Sequence, residues 1–238
     1  VNNGTVNWQT GAGRLRSGNG GSFLNNATFN DTASGDWNND YGNAVLVFTN
    51  SSSGNYHKSG AGQTNFFVPF DNLGNVGVTA GTLHLAGGGT NSASGIITAG
   101  PGALVVFGNS YTLANASSLA GAGSFKVTGG TLTATGTVNV SNFAIAGGTL
   151  AGTQTFAGGL AWTGGNFNNG GTTTIAGGTT FDIAPDRGGN AFDHDFSSRA
   201  FVNHGTTTWA ANAGRLRSGN GGAFTNHGLF IDAASSAI

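Results

Sequence analysis

The property that most constrains this chain is that it repeats itself. Residues 1–31 match residues 202–232 at 19 of 31 positions with a constant offset of 201. The run Gly13-Arg14-Leu15-Arg16-Ser17-Gly18-Asn19-Gly20-Gly21 returns unbroken as Gly214 to Gly222, and Trp8 returns as Trp209. Self-similarity at a fixed period marks units that stack on one another. Residues 1–201 therefore read as one full superperiod and residues 202–238 as the start of the next copy. A shorter period lies inside the long one. Phe-x-Asn-x begins at Phe23, Phe48 and Phe70, and again at Phe201 and Phe224. In the middle of the chain Gly-Gly-x-x takes over at Gly129, Gly147, Gly164 and Gly177, with tighter steps and an irregular last one. Together these spacings define a unit of about 17–25 residues, the length of one solenoid coil.

Within each unit, runs such as Thr131-Leu132-Thr133-Ala134, Thr137-Val138-Asn139-Val140 and Thr172-Thr173-Thr174-Ile175 alternate with the period of a strand. Gly-Gly and Asn-Gly steps separate them and supply corners where a Cβ would clash. The chain is expected to be all-β, a parallel β-solenoid, with right-handed connections as is usual between parallel strands. A β-sandwich also uses short strands and Gly-rich turns, but it accounts for neither period. Composition agrees. Charged residues are 7% of the chain, Glu is absent and Gly numbers 45 of 238, which leaves little material for surface helices. The core is expected to be thin, with one small side chain per strand turned inward.

The segments Gly147-Gly148-Thr149-Leu150-Ala151-Gly152, Phe156-Ala157-Gly158-Gly159-Leu160-Ala161-Trp162-Thr163-Gly164-Gly165 and Thr172 to Gly178 resemble the passenger repeats of large secreted bacterial adhesins of the filamentous-haemagglutinin and autotransporter kind. That resemblance implies a right-handed parallel β-helix, export to the cell surface, a role as a fibre in attachment or biofilm, and no catalytic residues. The long superperiod departs from the family's usual pattern.

Zero Cys excludes disulfides and thiolate metal sites. A net charge of -1 offers no attraction to nucleic acid, and no run of about 20 apolar residues could span a membrane. The start Val1-Asn2-Asn3-Gly4-Thr5 reads as the interior of a longer chain, so further copies of the repeat are the expected partners, in the same chain or stacked end to end.

Charge is uneven: between Asn72 and Phe181 the only charged side chain is Lys126. Any site should therefore lie on the flanks. Arg14 and Arg16, repeated as Arg215 and Arg217, flank a leucine so that both guanidinium groups share a face. They could hold anionic groups of a polysaccharide, or pair with Asp of adjacent coils. Asp36, Asn38 and Asp40 place oxygens at alternate positions, as a calcium loop does. However, Tyr41 stands where such a loop has Gly, and Val47 where it has Glu.

Asp182, Asp186, Asp193 and Asp195, with His194, form a second acidic group where the coil period breaks; Asp193 and Asp195 share one side of a strand. Paired carboxylates there suit a cation or polysaccharide cleavage, or simple solvation of a loop. Asn2 with Asn25, and Asn203 with Asn226, are expected to form asparagine ladders. His204 and His227 should stack where the first copy has Asn3 and Asn26. Thr-x-Thr runs at Thr131, Thr153, Thr172 and Thr206 raise an ice-binding lattice, but their irregular spacing favours ordinary strand propensity. The expected function is a structural segment of a repetitive extracellular fibre, without catalysis or cofactor; calcium is the one cofactor the residues suggest. The alternatives are a glycan-binding adhesin module and a β-helix polysaccharide lyase or hydrolase.

Overall fold

The computed structural model describes residues 1–114, 118–186 and 188–234. The described residues form an all-β parallel solenoid without a helix, divided into two compact units, Val1–Phe125 and Lys126–Ile238.

In the first unit each coil contributes three short strands, and each strand pairs in parallel with its counterpart one coil on. One column runs Thr5–Trp8, Thr28–Asp31, Asn55–Lys58, Asn75–Val78, Ile96–Ala99 and Ser118–Ala120, and its longest step is the one from Thr28 to Asn55. A second column stacks Leu15–Ser17, Asp36–Asn39, Gln63–Phe66, Thr82–Leu85 and Leu104–Phe107. The third holds the Phe-x-Asn-x motifs: Phe23 pairs with Phe48 and Phe48 with Phe70, while Asn25, Asn50 and Asn72 align two positions later.

The strands of the second unit also stack in parallel, but Phe143–Ala151 and Gly159–Asn166 are longer and pair with breaks in register. Gly136–Val138, Gln154–Phe156, Gly171–Ile175, Arg199–Asn203 and Ala223–Asn226 form one column, in which the step from Thr173 to Phe201 is the longest. Both of these long steps exceed the coil length expected from the sequence. Each contains an outward excursion, residues 40–46 in one and, in the other, residues 184–186 and 188–193, that adds length without adding a layer. The short last Gly-Gly step, from Gly164 to Gly177, also has a physical cause. Gly130, Gly148 and Gly165 stack at one corner, whereas Gly177 and Gly178 turn into the Thr180–Ile183 strand, which pairs with Gly159–Trp162.

The core is heavier than the composition suggested. A typical strand, such as Val47–Asn50, turns two side chains inward, not one. Many are large: Phe29, Phe48, Tyr56, Phe66, Phe70 and Trp162 are all at most 1% exposed. Direct register places like over like, so Phe48 stacks on Phe23 at 5.3 Å and on Phe70 at 4.8 Å. In the second unit Phe201 stacks on its register partner Phe224 at 6.0 Å, and on Phe181 of another strand column at 5.6 Å. Each buried ring contributes about 1.5–3 kcal/mol, with about 0.5–1.5 kcal/mol more per ring pair.

The same register lets glycine backbones touch. Gly148 has φ +66°, and a Cβ there would lie 2.5 Å from Gly130 O. Gly148→Ala should lower stability by about 1–3 kcal/mol, measured by urea unfolding. Gly177→Ala, with its nearest contact at 3.9 Å, should cost less than about 1 kcal/mol.

Candidate functional site

The most extended polar feature is an asparagine ladder inside the first unit. Asn2 Nδ2 donates to Asn25 Oδ1 (2.6 Å), Asn25 to Asn50 (2.8 Å), Asn50 to Asn72 (2.8 Å) and Asn72 to Asn91 (2.7 Å). Four of the five are fully buried. The amide suits this position because its donor and acceptor ends let identical side chains chain together, while the second N–H caps corner carbonyls such as Ala27 O and Gly54 O. The ladder stops where Leu113 stands opposite Asn91. In the second unit Asn203 donates to Asn226 at 2.7 Å. Sequence reasoning reached Asn2, Asn25, Asn203 and Asn226 but not Asn50, Asn72 and Asn91, although the Phe-x-Asn-x spacing carried the first two of these. Outside the core, Asn26 donates to Asn3 at 2.9 Å, and the matching His204 and His227 rings stack at 5.1 Å with a 14° tilt.

The arginines face outward with carboxylate partners. Arg16 Nε donates to Asp40 at 2.7 Å and its guanidinium lies 4.8 Å from the Tyr41 ring; Arg14 lies 3.7 Å from the same carboxylate. In the second copy Arg215 grips Asp193 with two bonds of 2.8 and 2.7 Å, and Arg217 grips Asp195 with bonds of 2.6 and 2.7 Å. Arg217 also reaches Asp193 at 2.8 Å. The Arg215 hydrogen bonds hold the Asp193 carboxyl below the usual range.

The candidate cation ligands are dispersed. Asp36 accepts from Asn65 at 2.7 Å, Asp40 is held by Arg16, and Asn38 Oδ1 is buried without a hydrogen-bond partner. Among the described residues no group of three or more His, Cys, Asp or Glu is placed to bind a metal. Asp186 caps its own loop through the N–H groups of Gly188 and Asn190, both at 2.8 Å. Asp182 stands opposite Thr208 on the outer side of its strand. Asp193 and Asp195 are thus spent on arginines and Asp186 on a turn, while Asp182 stands apart from both and burial raises its pKa. Of the Thr-x-Thr runs, Thr153/Thr155 and Thr172/Thr174 stack, and Thr137 extends the column of Thr155 and Thr174. The runs at Thr131 and Thr206 belong to other strand columns.

Sequence reading did not place Arg199, His194 or Lys58 in the interior. Arg199 is 1% exposed and donates to the carbonyls of Leu150, Gly152, Asn169 and Gly170 and to Thr173 Oγ1, at 2.8–3.2 Å, tying three coils together. Desolvation lowers its pKa to about 10. His194 is buried with Nε2 facing Trp162 O and Ala184 O at 3.1 and 3.2 Å, and burial pushes its pKa down. Lys58 is buried beside Asp31. The available signal was alternation: Arg199 shares its face with Phe201 and Asn203, and Lys58 shares its face with Tyr56.

Compared with known proteins, the chain matches no family model, no curated protein and no solved structure. The likeness to secreted adhesins therefore rests on the repeat motifs alone.

Asn50→Ala should lower first-unit stability by about 2–3 kcal/mol, because Asn25 loses its acceptor and three carbonyls lose a donor inside the core. Asn30→Ala, which removes the exposed bond to Asn7, should shift the urea midpoint very little.

Proposed function

We propose that this chain is a structural segment of a long, repetitive extracellular or cell-surface fibre, adhesin-like in build and serving cell attachment or matrix formation. The observation that carries this reading is that the two copies of the long repeat enter their coils at the same point. Trp8 Nε1 donates to Gly13 O at 3.0 Å, and Trp209 Nε1 donates to Gly214 O at 3.0 Å. Asn19 and Asn220 both take positive φ, at 57° and 48°. Thr5–Trp8 pairs onward with Thr28–Asp31, as Thr206–Trp209 does with Leu229–Asp232. One repeat can then follow another without a change of register, which is what an indefinitely extended solenoid requires.

The neighbours of the arginine pair support the same reading. The first copy has Asp40 on the coil after it, and the second has Asp193 and Asp195 on the coil before it. In a continuous array each arginine pair would lie between carboxylates on both sides. Chains carrying one, two and three superperiods, imaged by electron microscopy, should form rods that lengthen by about 50 Å per superperiod, from about ten coils at about 4.8 Å each. Particles that grow in all dimensions would contradict the fibre.

A glycan-binding role is the second reading. It is favoured by a groove of about 320 Å³ lined by Asn168, Asp195, Ser197, Arg217 and Ser218. With Asp193 and Asp195 neutralising the arginines, the unaltered chain should not be retained on a sulfated polysaccharide at physiological salt. The Asp193→Asn/Asp195→Asn double variant should be retained. Retention of the unaltered chain that disappears with Arg217→Ala would favour the glycan reading.

A further inference from the structure

Two successive coils of the first unit bring an amine and a carboxyl group together in the core. Asp31 ends the strand Thr28–Asp31, Lys58 ends the strand Asn55–Lys58, and the two are direct cross-strand partners. The alternation that turns Phe29 and Tyr56 inward turns them inward too, and both are 0% exposed. A buried amine and carboxylate ordinarily offset their desolvation by a direct ion pair. Here Lys58 Nζ donates instead to Ala33 O (3.0 Å) and Gly60 O (2.8 Å). Asp31 Oδ1 accepts the Ala33 N–H (2.9 Å), and Oδ2 accepts the Tyr56 hydroxyl (2.6 Å). Carboxyl and amine thus rest on the two ends of one residue's backbone. Desolvation raises the Asp31 pKa and lowers that of Lys58, toward the neutral acid and neutral amine. Tyr56 is pushed well up, chiefly by burial, and keeps its proton.

We propose that Asp31 and Lys58 condense in the folded chain to an intramolecular amide that cross-links the two coils. The Lys58 nitrogen lone pair attacks Asp31 Cγ. The charge that develops on Oδ1 is met by the Ala33 N–H, already at hydrogen-bond distance. Tyr56 protonates Oδ2, the Cγ–Oδ2 bond breaks, one water leaves, and the nitrogen returns a proton to the tyrosine oxygen. Acid plus amine becomes amide plus water, with no oxidant, reductant or co-reactant. The ring walls around Tyr56, Phe29 at 5.5 Å and Phe66 at 5.6 Å, exclude the water that would reverse the step. The two side chains form no direct ion pair, so Nζ must leave its carbonyls to reach Cγ, but their fixed placement on adjacent strands makes that a local side-chain movement and not a bimolecular encounter. The product replaces two buried ionisable groups by one amide and bridges the longest step in that strand column. This inference stands apart from the fibre reading and holds or fails without it.

The test is the intact mass of the folded, purified chain. It should be one water lighter than its sequence requires, and proteolysis should release a branched peptide joining the Asp31 and Lys58 segments. Lys58→Arg, which keeps charge and length but cannot form this amide, should restore the full mass. Tyr56→Phe, which keeps the ring, should slow the loss of water after refolding by about a hundredfold or more. Asp31→Asn should reach the same cross-linked mass by losing ammonia. Full mass in the unaltered chain after prolonged incubation in the folded state, or a water deficit that persists in Lys58→Arg, would overturn the proposal.

Discussion

Parallel register between coils is the constraint on which the rest of this structure depends. Strands stack about 4.8 Å apart along the solenoid, so the closest neighbour of each side chain is its counterpart one coil away. Only residues that tolerate such neighbours can occupy a column. Phe over Phe gains ring stacking, Gly over Gly lets backbones touch at a corner, and Asn over Asn links donor to acceptor. Charge over like charge is unfavourable, and the molecule obeys this closely. Asp193 and Asp195 stand beside Arg215 and Arg217, and Asp31 beside Lys58. Where no unlike partner is present the neighbours are uncharged: Asp71 stands between Thr49 and Thr90, and Asp182 between Ala161 and Thr208.

Polar groups in the interior follow a second rule, that each must be met by a hydrogen bond. Corners between strands leave carbonyls turned inward, away from water. The asparagine ladder meets them in the first unit, and Arg199 meets four of them in the second. These are two chemical answers to one geometric problem. The ladder is modular and can be extended one coil at a time, whereas the single guanidinium gathers carbonyls from several coils where Thr173 and Ile175 interrupt the column of identical residues.

Much of this was legible in the residues. Strand alternation, glycine corners and the Phe-x-Asn-x spacing were enough for the solenoid and its coil length, because a ladder of identical side chains writes its own period into the chain. The partners of Arg14, Arg16, Arg215 and Arg217 were only one of two readings, since register from one coil to the next depends on how long each excursion is. Core weight was underestimated because composition counts residues and not how many each strand turns inward. Lys58 and Arg199 went unread for a related reason: a charged residue in a polar sequence looks solvated until the alternation of its own strand is followed.

What the sequence by itself determined was the repeat, and with it the all-β coil, since short alternating runs divided by glycine corners at that interval leave room for strands and none for helices. The tertiary structure alone decided which outward carboxylates neutralise the arginines and which ionisable groups lie buried. Those outcomes depend on connections of unequal length between Thr28 and Asn55 and between Thr173 and Phe201, whose effect on register appears only when coils are laid one upon another. The meeting of Asp31 with Lys58 belongs to this second class: the step between them fits no regular period in the sequence, and only hydrogen bonding between the two strands makes them neighbours.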